Sequence, residues 1–160
     1  MLEVAERVLK KIGISNVVTA VAENKKLPVP NASADFSIAG WTFGHCISWF
    51  PESWRTEIEA AVSEMLRVTR KSGSLIILET LGTGKEDPYP PNAALASYYE
   101  MIEKEFGFTR VAIRTDYRFN SFDEAKELTL GFFGKEYAFQ IDFEGRAILP
   151  ECTGIWHRRA

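Results

Sequence analysis

The sequence predicts an α/β protein built on a doubly wound, mostly parallel sheet. Three features of one central stretch carry this expectation. Two short apolar runs, Ala34–Trp41 and Leu75–Leu78, are bounded by turn residues and suit buried parallel strands. Between them, Trp54, Ile58, Ala61, Val62, Met65, Leu66 and Thr69 recur at helical spacing. Glu52, Arg55, Glu57, Glu59, Glu64, Arg67 and Arg70 fall mostly on the opposite side. A strand, a covering helix and a second parallel strand form a right-handed βαβ unit.

The remaining elements follow in chain order. Met1–Ile12 places Leu2, Ala5, Val8, Leu9 and Ile12 on one helical face, and Gly13 stops the helix. It has no cap, and no strand feeds it, which is unusual for this class. Asn16–Glu23 is β-branched and reads as a strand. Asn24–Asn31, with Pro28 and Pro30, is loop. In the central unit Pro51 suits the first turn of the helix, and Gly73 suits the position just past its end. Gly82–Pro91, rich in Gly and Pro, is a long exposed loop of the kind that often bears function. Ala93–Phe106 is a third helix, with Leu95, Tyr98, Tyr99, Ile102 and Phe106 inward and Gly107 ending it. Val111–Phe119 alternates apolar and charged residues and reads as one strand. Ser121 and Glu124 make a capping box for a helix through about Leu130. Gly131–Gly145, rich in Phe and Tyr, gives no clear pattern. Ala147–His157 is the last strand, and the Pro150 and Gly154 inside it point to an edge or a bulge.

The bulk numbers narrow the function. A chain of 160 residues with 46% hydrophobic and 26% charged residues is expected to form a single globular domain, 1–160. A net charge of −3 argues against nucleic acid as partner. No run approaches a membrane span. Met1 opens on the amphipathic MLEVAERVLKK rather than a secretory leader. Two cysteines, Cys46 and Cys152, are too few for a secreted disulfide framework, so a reduced, cytoplasmic setting is expected.

Chemical motifs are sparse. GTGKE at Gly82–Glu86 resembles a phosphate loop only faintly: Glu79 stands where the first Gly belongs, and Glu86 where a magnesium-binding hydroxyl belongs. Cys46/His45 and Cys152/His157 lack zinc spacing, so no metal is expected. No G-x-S-x-G elbow or dinucleotide fingerprint exists. What remains is position, because ligands of open α/β sheets sit beyond the carboxyl ends of strands. Three such ends are Ala22–Asn24, Gly40–Thr42 and Glu79–Leu81. Gly40 lets a ligand approach the backbone. Trp41 and His45 either line a pocket or pack as core. Trp49 and Phe50, just ahead of a helix, fit better as core in the manner of a hydrophobic staple. Glu23 either accepts a ligand hydrogen bond or is an ordinary solvated charge.

The order of these pieces resembles the class I S-adenosylmethionine-dependent methyltransferases, in their broad small-molecule-type branch. The matching segments are Met1–Leu9, Val17–Glu23, the L-P-V-P loop Leu27–Pro30, Asp35–Ala39, Glu64–Gly73 and Leu75–Glu79. The resemblance covers roughly the first 85 residues well and the rest more loosely. It implies a methyltransferase, Rossmann-like sheet with an antiparallel C-terminal hairpin. It implies S-adenosylmethionine as cofactor, with adenine contacts carried onto Glu23 and Asn24 and strand-end contacts onto Ala39, Gly40 and Trp41. The family usually has Asp where Glu23 stands. The glycine-rich loop and the ribose-binding acidic residue of the family fall before Met1. The resemblance therefore implies a chain truncated at its N-terminus, the C-terminal two-thirds of the family fold.

The expected activity is methyl transfer to a small-molecule acceptor, by alignment of donor and acceptor. His45 is the candidate base, since imidazole ordinarily titrates near neutrality. Trp41, His45, Tyr98 and Tyr99 are candidate acceptor contacts, although burial tendencies favour core packing for both tyrosines. The alternative is a non-catalytic methyltransferase-like module or subunit. Such a module would pair through an exposed sheet edge, as a homodimer or with a missing N-terminal partner segment.

Overall fold

A computed structural model describes residues 2–160. Its main sheet has four strands: β1 (Ala34–Gly40), β2 (Thr69–Thr83), β3 (Thr109–Arg114) and β7 (Glu151–Arg159), in the spatial order β1-β2-β7-β3. β1 and β2 are parallel, and β7 runs antiparallel to both β2 and β3. Three of four strands therefore point one way, and β3 with β7 forms the expected antiparallel C-terminal pair. A small second sheet holds β4 (Tyr117–Phe119), β5 (Gln140–Ile141) and β6 (Ala147–Leu149), in the order β4-β6-β5.

The crossover between β1 and β2 is helical, as its periodicity predicts. It splits into a short helix α2 (Gly44–Trp49) and a long one, α3 (Trp54–Val68). α3 buries Ile58, Ala61, Val62, Met65 and Val68. Glu64, expected on the wet side, is also buried. It accepts hydrogen bonds from the backbone N–H of Leu27 at 2.6 Å and from the Arg67 guanidinium at 2.7 Å. α4 (Ala93–Lys104) starts on Asn92, whose side chain accepts from the Leu95 N–H, and turns out at Gly107 with φ +69°. Its Tyr98, Tyr99, Met101 and Ile102 join Leu75, Ile77, Leu81 and Trp156 in the core.

Several expectations are corrected. Asn16–Glu23 is not a strand. Only the bridge Glu23–Lys26 forms there, with Val18 95% and Val21 90% exposed. β-Branched residues favour a strand only with a partner and a covering layer, and this segment has neither among the described residues. β1 is an edge strand rather than a buried one: its Phe36 and Ile38 are exposed, because no layer covers them. Gly73 is not a helix cap. α3 ends at Val68 and the chain enters β2 directly. Gly73 sits at the β-bulge between Ala34/Thr69 and Phe36/Ser74, where a Cβ would lie 2.6 Å from the Asp35 carbonyl oxygen.

The predicted strand Val111–Phe119 breaks after Arg114. Asp116 there accepts the Glu151 N–H at 3.0 Å, and the chain moves to the second sheet. Ala147–His157 likewise splits at Pro150. β7 is a central strand, not an edge, and of the two alternatives the irregularity is found: its register on β2 shifts between Thr80/Thr153 and Thr83/Glu151. Gly154 is needed inside it because a Cβ would meet the Trp156 ring at 2.3 Å. The helix opened by Ser121, α5 (Phe122–Phe133), runs three residues past Leu130 to the left-handed Gly134. α1 (Leu2–Lys11) forms as predicted but buries none of its residues.

Candidate functional site

Parallel strands β1 and β2 end side by side, and their tips frame a cavity of about 580 Å³. Trp41 stands at the rim, half exposed. Its backbone is held at φ +47° by an N–H bond to the Leu78 carbonyl at 2.7 Å. A bulky residue in left-handed backbone is strained, and such strain gathers at functional sites. α2 follows at once and brings His45 to the same cavity, stacked on Trp49 with ring centroids 5.2 Å apart. The N-terminal turn of α4 closes the far side through Asn92 and Leu95.

The floor is Glu79, near the end of β2. It is 4% exposed, and its Oε1 accepts from the Gly44 N–H at 2.9 Å and the Tyr98 hydroxyl at 3.4 Å. Burial pushes this carboxyl up to about 7, against the opposing pull of the Gly44 and Phe43 N–H groups and the Tyr98 hydroxyl. Gly44 has little room to change: a Cβ there would lie 3.1 Å from Glu79 Oε2 and 3.2 Å from Leu95.

Two further hollows lie along the other side of β1 and α2. One of about 520 Å³ is lined by Ala22, Glu23, Asn24 and Thr42 with Trp49 and Phe50. Another of about 280 Å³ takes in Asn24, Ala39, Thr42 and Phe43. Trp49 and Phe50 are 64% and 42% exposed, so they wall a hollow instead of forming the expected staple. Residues 22–25 thus meet the tip of β1 by way of a loop, not a third strand tip. Gly40 is exposed, with open space where a Cβ would stand.

The structure therefore distributes the predicted site residues over one end of the sheet. Trp41 and His45 share the cavity over Glu79. Glu23 and Asn24 share the hollow beside α2, and Ala39 lies in the hollow that also holds Asn24. Tyr98 and Tyr99 do not line the cavity. Both rings are buried, with the Tyr98 hydroxyl on Glu79 and the Tyr99 hydroxyl on the Thr80 carbonyl at 2.7 Å, as core packing would have it. Glu79 was visible in the sequence only as a strand-end acid. Burial beneath α2 and α4 sets it apart, and no sequence spacing reports that. Among the described residues, no group of acidic, His or Cys side chains is arranged to hold a metal ion.

Residues 1–77 match the family described as a methyltransferase domain. The match spans just under half of the 160-residue chain. The fold is shared with several solved structures. Over 98% of this chain it superposes on the YcgJ protein of Bacillus subtilis with a TM-score of 0.53 at 15% identity, spanning 76% of that protein. A SAM-dependent methyltransferase from Aquifex aeolicus gives 0.52 at 16% identity over 98% of this chain and 62% of that one. The BH2331 protein of Bacillus halodurans C-125 gives 0.54 at 16% identity over 99% of this chain and 78% of that protein. No curated protein sequence matches the chain. β1 and β2 are a parallel pair, and in open α/β sheets ligands sit beyond the tips of such strands. No helix among the described residues is long and apolar enough to cross a membrane.

Proposed function

We propose that this chain takes part in S-adenosylmethionine-dependent methyl transfer to a small-molecule acceptor. The supporting observation is the run of hollows along the tip of β1, with a half-exposed Trp41 and His45 at one end and Glu23 and Asn24 at the other. The hollow beside α2 fits a nucleoside chemically. Trp49 and Phe50 offer aromatic faces, and Glu23 and Asn24 offer hydrogen-bond groups at its edge. Ala39 and Gly40 leave the β1 backbone open to close approach. The cofactor, when bound, supplies an activated methyl group on sulfur. The chain's own part is to hold the acceptor in the cavity over Glu79 and to take up its proton, for which His45 is the candidate.

Calorimetric titration of the protein with S-adenosylmethionine tests this reading. Binding is expected, and Gly40→Val is expected to abolish it while leaving the thermal melt unchanged. Its added side chain would enter the space the cofactor needs, and that space is empty of protein atoms. Unchanged affinity in Gly40→Val removes Gly40 from the site, and no heat with the parent protein removes the cofactor.

A second reading rests on β1, an open edge with Phe36 and Ile38 exposed. An unpaired edge with apolar side chains invites another strand. In this reading the chain is a module that pairs through β1, and the molar mass by light scattering distinguishes it.

A further inference from the structure

We infer that the cavity between the tips of β1 and β2 selects an acceptor bearing an amine, read by the carboxylate of Glu79. The inference rests on the proposed methyl-acceptor role of this cavity and adds the chemical class of the acceptor.

Charge inside the cavity is the first observation. Its lining includes Trp41, His45, Ser48, Glu79 and Asn92, and it contains no Lys or Arg. Glu79 is the only acidic lining group, and it has no ion-pair partner among the described residues. Of the other buried acids, Glu64 is held by Arg67 and by the Leu27 N–H, and Glu151, which accepts from the Thr80 hydroxyl, lines none of the hollows described above. A carboxylate kept buried without a counter-charge costs stability. A cationic or N–H-bearing ligand would supply the missing partner, whereas a carboxylate or phosphate ligand would be repelled.

Geometry is the second observation. The protein offers Glu79 only neutral donors: the Gly44 N–H and the Tyr98 hydroxyl on Oε1, and the Phe43 N–H close by. Hydrogen-bond capacity on the carboxylate therefore remains for a ligand. The half-exposed Trp41 at the rim gives an aromatic face over which a cation is favoured. The groups that face Glu79 from its neighbours are Tyr98 and Tyr99 of α4 and Cys46 and His45 of α2. Tyr98, Tyr99 and Cys46 are each raised by burial, so they stay neutral when Glu79 ionises.

Three probes that share an indole ring separate the possibilities: tryptamine, tryptophol and indole-3-acetate. Binding to the full chain is measured by calorimetry, at about pH 8 and about pH 5, on either side of the Glu79 titration. Tryptamine is expected to bind about tenfold more tightly than the other two at the higher pH, the margin of one charge-assisted hydrogen bond. The margin is expected to shrink at the lower pH. Glu79→Gln, which keeps an acceptor for Gly44, is expected to erase the preference at both pH values. Glu79→Asp is expected to keep its sign. A preference that survives in Glu79→Gln, equal binding of all three, tighter binding of indole-3-acetate, or no binding of tryptamine would each overturn the inference. S-adenosylmethionine is titrated in parallel. An amine preference without cofactor binding removes the methyltransferase reading alone, and cofactor binding without an amine preference removes this inference alone.

Discussion

Glu79 and Glu64 are both buried carboxyls, and their environments pull their titrations in opposite directions. The Arg67 side chain, and then the Leu27 N–H, hold Glu64 down to about 2. A folded-state value below the unfolded one stabilises the fold above about pH 4.5, and that contribution is lost as the pH falls toward 2. Glu79 is pushed up to about 7 by burial. Its sign is reversed: stability is fully present below the ordinary carboxyl value and is lost as the pH rises through 7. Glu79→Gln removes the titrating group and cancels the Glu64 contribution, which both proteins share. The variant is therefore expected to gain stability relative to the parent between about pH 5 and pH 8, with a ceiling on the order of 3 kcal/mol. Urea midpoints at the two pH values measure this. An equal margin at both would mean that Glu79 ionises as an ordinary surface acid.

Helix α3 was legible almost to its ends because one apolar stripe repeats over four turns. Its Met65, 4% exposed, faces the sheet with Ile58 and Val62. Met65→Asp places a charge there with no partner, at a cost of several kcal/mol against a total stability of about 5–15 kcal/mol. Loss of the cooperative melt by circular dichroism is expected. A native-like melt would mean that this face does not pack on the sheet. The elements that sequence misread failed for tertiary reasons. Val17, Val18 and Val21 have strand propensity but no partner, so propensity alone created a strand that the fold lacks. Val111–Phe119 and Ala147–His157 each read as one strand because the alternation continues through the break. The breaks are made by long-range bonds, Thr115 N–H to the Glu151 carbonyl and Gly84 N–H to the Pro150 carbonyl, which no local pattern contains. The site divides in the same way. Trp41 and His45 follow from the rule that loops after parallel strands carry ligands, whereas the depth of Glu79 depends on α2 and α4 closing over it.

On the scale of the whole molecule, stability is distributed unevenly along the chain. β2, β7, α3 and α4 supply the buried core, while α1 buries nothing and keeps Leu2, Val4 and Val8 exposed. The polar contacts of residues 2–22, such as the Thr19 hydroxyl on Glu6, stay within that segment. The first ties to the core come later, at Lys25 to Glu57 at 2.9 Å and Leu27 N–H to Glu64 at 2.6 Å. A helix of ten residues without packing is marginal in water, because nucleation costs more than so few hydrogen bonds return. Hydrogen exchange should therefore divide the chain near Lys25. Amides of α1 are expected to exchange at rates close to those of an unfolded chain, and those of β2 and β7 only at the rate of global opening. Protection of α1 equal to that of β7 would contradict this. It would mean that the apolar face of α1 is covered in solution. Dilution separates the two ways of covering it: protection that falls on dilution comes from a second copy of the chain, and protection that persists comes from α1 docking on its own sheet.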